Sequence, residues 1–299
     1  MTEATAPSLT EDFAERSWVS RDGLTLVARD YAGAAGPAKL PVICLHGLTR
    51  NARDFGEVAP WLAGLGRRVL VPDVRGRGRS DRDPDPMNYQ IRTYARDVLE
   101  MLDALGIRRA VFVGTSMGGL ISMAVAMARS GAIAASVLND VGPEISPSGL
   151  ARIASYVGKP VALNGWDDAV ARVKQTMGVA FPDYREDDWQ ALARLSFREG
   201  PDGKPLPDYD PGIAIPIAAR RIKPSSWLAW LLFRRLARRR PTLLLRGALS
   251  DLITTEIAGR MRRAAPRLQV VEIPRVGHAP MLTEPAAREA IGKFLEDIP

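Results

Sequence analysis

Ser116 stands at the centre of Gly114-Thr115-Ser116-Met117-Gly118-Gly119. The apolar run Val111-Phe112-Val113 leads into it, and Leu120-Ile121-Ser122-Met123-Ala124-Val125-Ala126-Met127, which reads as a helix, leads out. Gly-x-Ser-x-Gly between a strand and a helix holds a serine at the apex of a sharp, strained turn, with its hydroxyl presented for attack. The helix aims free N–H groups and the positive end of its dipole at whatever the serine attacks. A serine hydroxyl is a poor nucleophile until a base takes its proton. The chain offers two histidines. His278, in Arg275-Val276-Gly277-His278-Ala279-Pro280, follows the last apolar run and is the expected base, passing the Ser116 proton on to the leaving group. His46, followed by Gly47, is expected to be structural, its ring holding its own loop.

A histidine base needs a carboxylate to fix its tautomer and stabilise the imidazolium. Two candidates follow apolar strands between Ser116 and His278. Asp251, in Arg246-Gly247-Ala248-Leu249-Ser250-Asp251, is preferred on chain order. Asp140, in Leu138-Asn139-Asp140-Val141, is the alternative acid; its plainer role is a turn or cap carboxylate. The oxyanion of a tetrahedral intermediate needs preorganised donors. The Met117 N–H at the helix start and the Leu48 N–H after His46-Gly47, with Thr49 beside it, are expected to supply them. This chemistry requires no cofactor and no metal.

These residues need a scaffold that brings four loops together. The continuous apolar run at 42–45 reads as a strand of the buried, parallel kind, and 69–72, 111–113, 133–138, 242–245 and 268–273 read as further strands. Helical spacing fills 54–65, 94–105, 255–264 and 285–295. A hairpin precedes them, turning at Arg21-Asp22-Gly23, after a polar leader over 1–16. Strands alternating with helices imply a mostly parallel sheet with helices on both faces, an α/β fold. His46, Ser116, Asp251 and His278 all fall at the carboxyl ends of its strands, where such sheets gather their sites. From 143 to 240 the buried-strand signal stops and short helical pieces alternate with Pro- and Gly-rich turns. This reads as a helical cap inserted into a core made of 1–142 and 241–299. Trp166, Met177, Phe181, Trp189, Phe197, Trp227, Trp230 and Phe233 are candidates for its lining, most of them expected simply to pack the cap helices together.

The chain resembles the α/β-hydrolase superfamily over nearly its whole length. The resemblance is carried by Leu45-His46-Gly47, by Asp73-Val74-Arg75-Gly76-Arg77-Gly78-Arg79-Ser80, by the Ser116 turn, by Leu138-Asn139-Asp140-Val141-Gly142-Pro143, by Arg246-Gly247 with Asp251, and by Gly277-His278. The arginine-rich piece reads as a tight turn with Asp73 and Arg75 in a polar network, without a catalytic role. Epoxide hydrolases and haloalkane dehalogenases of this fold carry aspartate where this chain has Ser116, so the resemblance implies acyl chemistry. It is closest in pattern to capped serine esterases, lactonases and carbon–carbon-bond hydrolases. The expected activity is hydrolysis of a small carboxylic ester through an acyl-enzyme. The alternatives are a ring-cleavage diketone, a lactone, or ligand binding without turnover on the same fold.

Composition narrows the partners. The formal charge is +7, but the arginines are scattered, which argues against nucleic acid. The single cysteine, Cys44, lies in an apolar run and excludes an intramolecular disulfide. Residues 1–12 carry acids and no apolar segment, unlike a secretory signal, and no stretch reaches the roughly 18 apolar residues of a membrane span. A cytoplasmic protein, monomeric or homodimeric, is expected. The segment 225–240 is half apolar and half basic, segregated along its length. It reads as a cap helix buried at 227–233 with solvated arginines; contact with an anionic membrane is the alternative.

Overall fold

The computed structural model describes residues 12–159, 162–219 and 224–299. Most of the expected leader, and with it the signal-peptide reading of 1–12, lies outside the described residues.

The apolar runs form most of an eight-stranded sheet. Its strands are β1 (Ala14–Val19), β2 (Thr25–Tyr31), β3 (Val42–Leu45), β4 (Val69–Pro72), β5 (Ala110–Thr115), β6 (Ile133–Asn139), β9 (Thr242–Gly247) and β10 (Gln269–Ile273). They are ordered β1-β2-β4-β3-β5-β6-β9-β10. β2 pairs antiparallel with both neighbours, and every pairing from β4 to β10 is parallel. The 14–16 stretch, read as leader, is the start of edge strand β1. Its residues are mostly exposed, so it lacks the apolar signal of a buried strand. Ion pairing of Arg16 with Asp30 at 2.9 Å helps to hold it.

Alternation along each strand sends neighbours to opposite faces. Ile43, Phe112, Leu138 and Leu244 join one core, packed with α2 (Ile91–Ala104) and α3 (Met117–Ala128). Val42, Cys44, Val113, Val137 and Leu245 join the other, packed with α1 (Val58–Gly64) and α10 (Pro285–Glu296). Helix α9 (Thr255–Ala264) adds Ile257 and Met261 to the first core. Among the described residues no helix is long and apolar enough to cross a membrane.

The segment between β6 and β9 carries α4 (Pro147–Tyr156), α5 (Trp166–Met177), α6 (Glu186–Ser196), α7 (Ala214–Ala219) and α8 (Trp227–Ala237). It also holds a small antiparallel hairpin, β7 (Phe197–Glu199) with β8 (Pro205–Pro207). Sequence reading missed the hairpin because two prolines bound its second strand and each strand has only three residues.

Helix α8 departs from expectation. The buried residues are Phe233, Leu236 and Ala237, whereas Trp227 is 77% exposed, with Leu228 and Leu231 exposed beside it. The C-terminal half packs into the core shared with α3. Nor are its flanking arginines simply solvated. Arg238 donates to the Ala264 carbonyl at 2.7 Å and Arg240 to the Ile133 carbonyl at 2.9 Å.

Candidate active site

The turn after β5 places Ser116 at φ 51 and ψ −112, a left-handed conformation that a serine adopts only when its surroundings impose it. The imposition is steric: strand and helix approach so closely that a Cβ on Gly118 would lie 2.1 Å from the Leu45 carbonyl oxygen. The Ser116 N–H donates to the Asn139 carbonyl at 3.0 Å, tying the apex to the end of β6.

His278 comes from the loop after β10 and is 9% exposed. Its Nε2 lies 3.0 Å from Ser116 Oγ, and its Nδ1 lies 2.7 Å from Asp140 Oδ2. The loop is fixed from two sides. Asn139 donates to the Pro280 carbonyl at 2.7 Å, and the Gly277 N–H donates to the Ala180 carbonyl of the insertion at 2.7 Å. A Cβ on Gly277 would press against Ala180 at 2.8 Å, so glycine permits this approach.

The acid beside His278 is therefore Asp140, and the preference for Asp251 is corrected. Asp140 is wholly buried, with φ 53, just past β6. It accepts hydrogen bonds from the Gly247 N–H at 3.0 Å and the Ser250 hydroxyl at 2.6 Å. The end of β9 and the loop after it, expected to supply the acid, supply the donors that hold it. Asp251 itself points to α4, where Arg152 grips both its oxygens at 2.6 and 2.8 Å. Burial works to raise the Asp251 carboxyl, but the hydrogen bonds and charge of Arg152 hold it below the usual range.

Leu48 lines the cavity that reaches Ser116, and Met117 opens α3 directly after it. Neither N–H has an acceptor among the described residues, which leaves both available to an oxyanion. His46 braces this region: Nδ1 meets the Gly47 carbonyl at 2.8 Å, and Nε2 accepts from the Val74 N–H at 3.0 Å. Sequence reading overlooked Arg77. This buried guanidinium donates to the Leu48 carbonyl at 3.0 Å, to the Arg75 carbonyl at 2.7 Å and to the Tyr94 hydroxyl at 2.9 Å, and lies 3.7 Å from Met117 Sδ. It bridges the two segments that carry the free N–H groups. The signal is the Asp-x-Arg-Gly-x-Gly-x-Ser motif, which also holds Arg75 and Asp73. Those residues do form a network: Arg75 pairs with Asp22, Asp83 and Asp97, and Asp73 accepts from the Ala52 and Arg79 N–H groups.

Burial pulls His46 down to about 4 from its ordinary 6.5, so the folded protein keeps it neutral where the unfolded chain would charge it. That contribution to stability is complete above pH 6.5 and is lost as pH falls to about 4, a change of about 3 kcal/mol. Burial raises Asp73 to about 6 from 3.8, and this group acts in the opposite sense, favouring the fold as pH falls from 6 to 3.8. A difference measurement isolates the histidine. Denaturant unfolding of wild type and His46→Gln should show the stability gap narrowing by about 3 kcal/mol from pH 6.5 to 4. A gap independent of pH would contradict this.

The cavity over Ser116 has an empty volume of about 1180 Å³, counting the part open to solvent. The core contributes Leu48, Ser116 and His278, and the insertion contributes Arg152, Arg172 and Tyr209 among others. Of the aromatic and methionine candidates, Met177 and Phe197 line it. Phe181, Trp189 and Phe233 pack in the interior, and Trp227 is on the surface. Among the described residues no group of three or more His, Cys, Asp or Glu could hold a metal ion.

The chain is similar to known proteins over nearly its whole length. A 3-hydroxybutyrate-oligomer hydrolase of Cupriavidus necator is 36% identical over 277 residues, spanning 90% of this chain and 92% of that one. The crystal structure of an α/β hydrolase from Novosphingobium aromaticivorans superposes with a TM-score of 0.88 at 44% identity, covering 95% of this chain and 98% of that one. The model of the alpha/beta hydrolase family matches residues 42–290, and with the fold in agreement the chain belongs to that family.

Proposed function

We propose that this α/β hydrolase cleaves carboxylic esters through an acyl-enzyme on Ser116, with esters of short hydroxy acids joined end to end as its substrate class. The observation that carries the reaction type is the hydrogen-bond chain from Ser116 Oγ through His278 to buried Asp140, opening into a cavity. Ser116 attacks the ester carbonyl while His278 Nε2 takes its proton, and Asp140 stabilises the imidazolium. The Leu48 and Met117 N–H groups receive the oxyanion. Collapse expels the alcohol with the proton from His278. Water, deprotonated by the same histidine, then releases the acid and restores Ser116. The substrate class is supported by the extensive similarity to the oligomer hydrolase.

The test is pre-steady-state release of p-nitrophenol from an acyl chain-length series, together with cleavage of linear 3-hydroxybutyrate dimer and trimer. A burst of one equivalent per enzyme and cleavage of the oligomers are expected, both lost in Ser116→Ala. A fluorophosphonate that labels Ser116 in a protein inert to every ester would redirect the reading to lactones and diketones. Absence of both labelling and activity would overturn it in favour of ligand binding.

A further inference from the structure

Three arginines wall the cavity over Ser116: Arg50, Arg152 and Arg172. Two of them are neutralised. Arg50 pairs with Asp54 through Nε at 2.8 Å and Nη2 at 2.5 Å, and Arg152 pairs with Asp251. Arg172, on α5, donates to the neutral amide oxygen of Gln175 at 3.0 Å and has no carboxylate partner among the described residues. Among the described residues the cavity therefore presents one arginine without a carboxylate partner. A cavity-lining cation without a carboxylate partner is open to an anionic group of the ligand. A guanidinium has the planar, forked donor set that matches a carboxylate, and most of this one is unused.

We infer that Arg172 receives the free carboxylate of the substrate, making the protein selective for anionic esters: short hydroxy-acid oligomers held by their carboxyl end. The inference rests on the ester-hydrolase reading above, and it adds a direction. The chain enters with its carboxylate toward α5 and an ester linkage toward Ser116, so cleavage is counted from the carboxyl terminus. Because α5 belongs to the insertion and Ser116 to the sheet, a bound substrate also spans the two.

The test compares the 3-hydroxybutyrate dimer as free acid with the same dimer capped as its terminal carboxamide. Both contain the same scissile ester. Wild type should prefer the acid in kcat/KM by roughly 10- to 100-fold, the range expected for a hydrogen-bonded charge pair, mainly through KM. In Arg172→Gln that preference should collapse toward one, and Arg172→Lys should restore part of it. An unchanged preference in Arg172→Gln, or none in wild type, overturns the proposal. Calorimetric binding of both dimers to Ser116→Ala separates this claim from the reaction type. Arg172-dependent selectivity for the acid supports the carboxylate site even if neither dimer is cleaved, an outcome that would sink the ester reading alone. Equal binding of acid and carboxamide overturns the carboxylate site.

Discussion

Ser116→Ala should lower kcat on an ester by roughly 10⁵- to 10⁶-fold, because the remaining histidine and acid have no hydroxyl to activate. What survives should come from binding and the Leu48 and Met117 donors. The fold should not change. The Ser116 backbone N–H bonded to Asn139 is kept in alanine, and the close approach at Gly118 is untouched. Thermal unfolding of the variant should stay within a few degrees of wild type, while stopped-flow assays find no burst. A variant that turns over at more than a hundredth of the wild-type rate would mean another group makes the bond.

Asp140→Asn should cost roughly 10⁴-fold in kcat. The carboxylate now accepts from His278 Nδ1, the Gly247 N–H and the Ser250 hydroxyl. A carboxamide that turns its NH2 toward Nδ1 would make that nitrogen the acceptor, place the ring proton on Nε2, and leave Ser116 facing a donor instead of a base. It would also remove the charge that stabilises the imidazolium. Asp251→Asn is the matched control. It breaks the pairing with Arg152 between α4 and the loop after β9, so it should loosen the cavity wall and change kcat by less than about tenfold. The two kcat values decide between the acids, and a reversed order would return the role to Asp251.

The contrast between these two aspartates shows where sequence stops being informative. The Ser116 turn was legible because its steric needs are local: glycines where the strand and helix touch, an apolar run before and a helix after. His278 was legible because there are only two histidines and the other sits in a loop that it can brace itself. The acid was not, since Asp140 and Asp251 both follow buried strands and both lie between Ser116 and His278. What separates them is Arg152, about a hundred residues before Asp251 on an inserted helix, and Ser250, whose hydroxyl turns toward Asp140. Neither pairing has a spacing signature. The same limit applies to Arg77, one of several arginines in its motif, whose burial against the Leu48 carbonyl is a fact of packing. The parallel core was legible from its predominantly apolar runs, whereas polar edge strand β1 and the proline-bounded hairpin carry no such pattern. In α8, the apolar sequence at 227–233 pointed to the wrong end, because burial is decided by which residues meet α3.

The most direct measurement is intact-protein and peptide mass spectrometry of enzyme acid-quenched during turnover of p-nitrophenyl 3-hydroxybutyrate. A hydroxybutyryl adduct on the peptide containing Ser116, formed at the burst rate and absent from Ser116→Ala, is the expected result. Steady turnover with no adduct on that peptide, under conditions where product release of the acyl group limits the rate, would contradict the acyl-enzyme account.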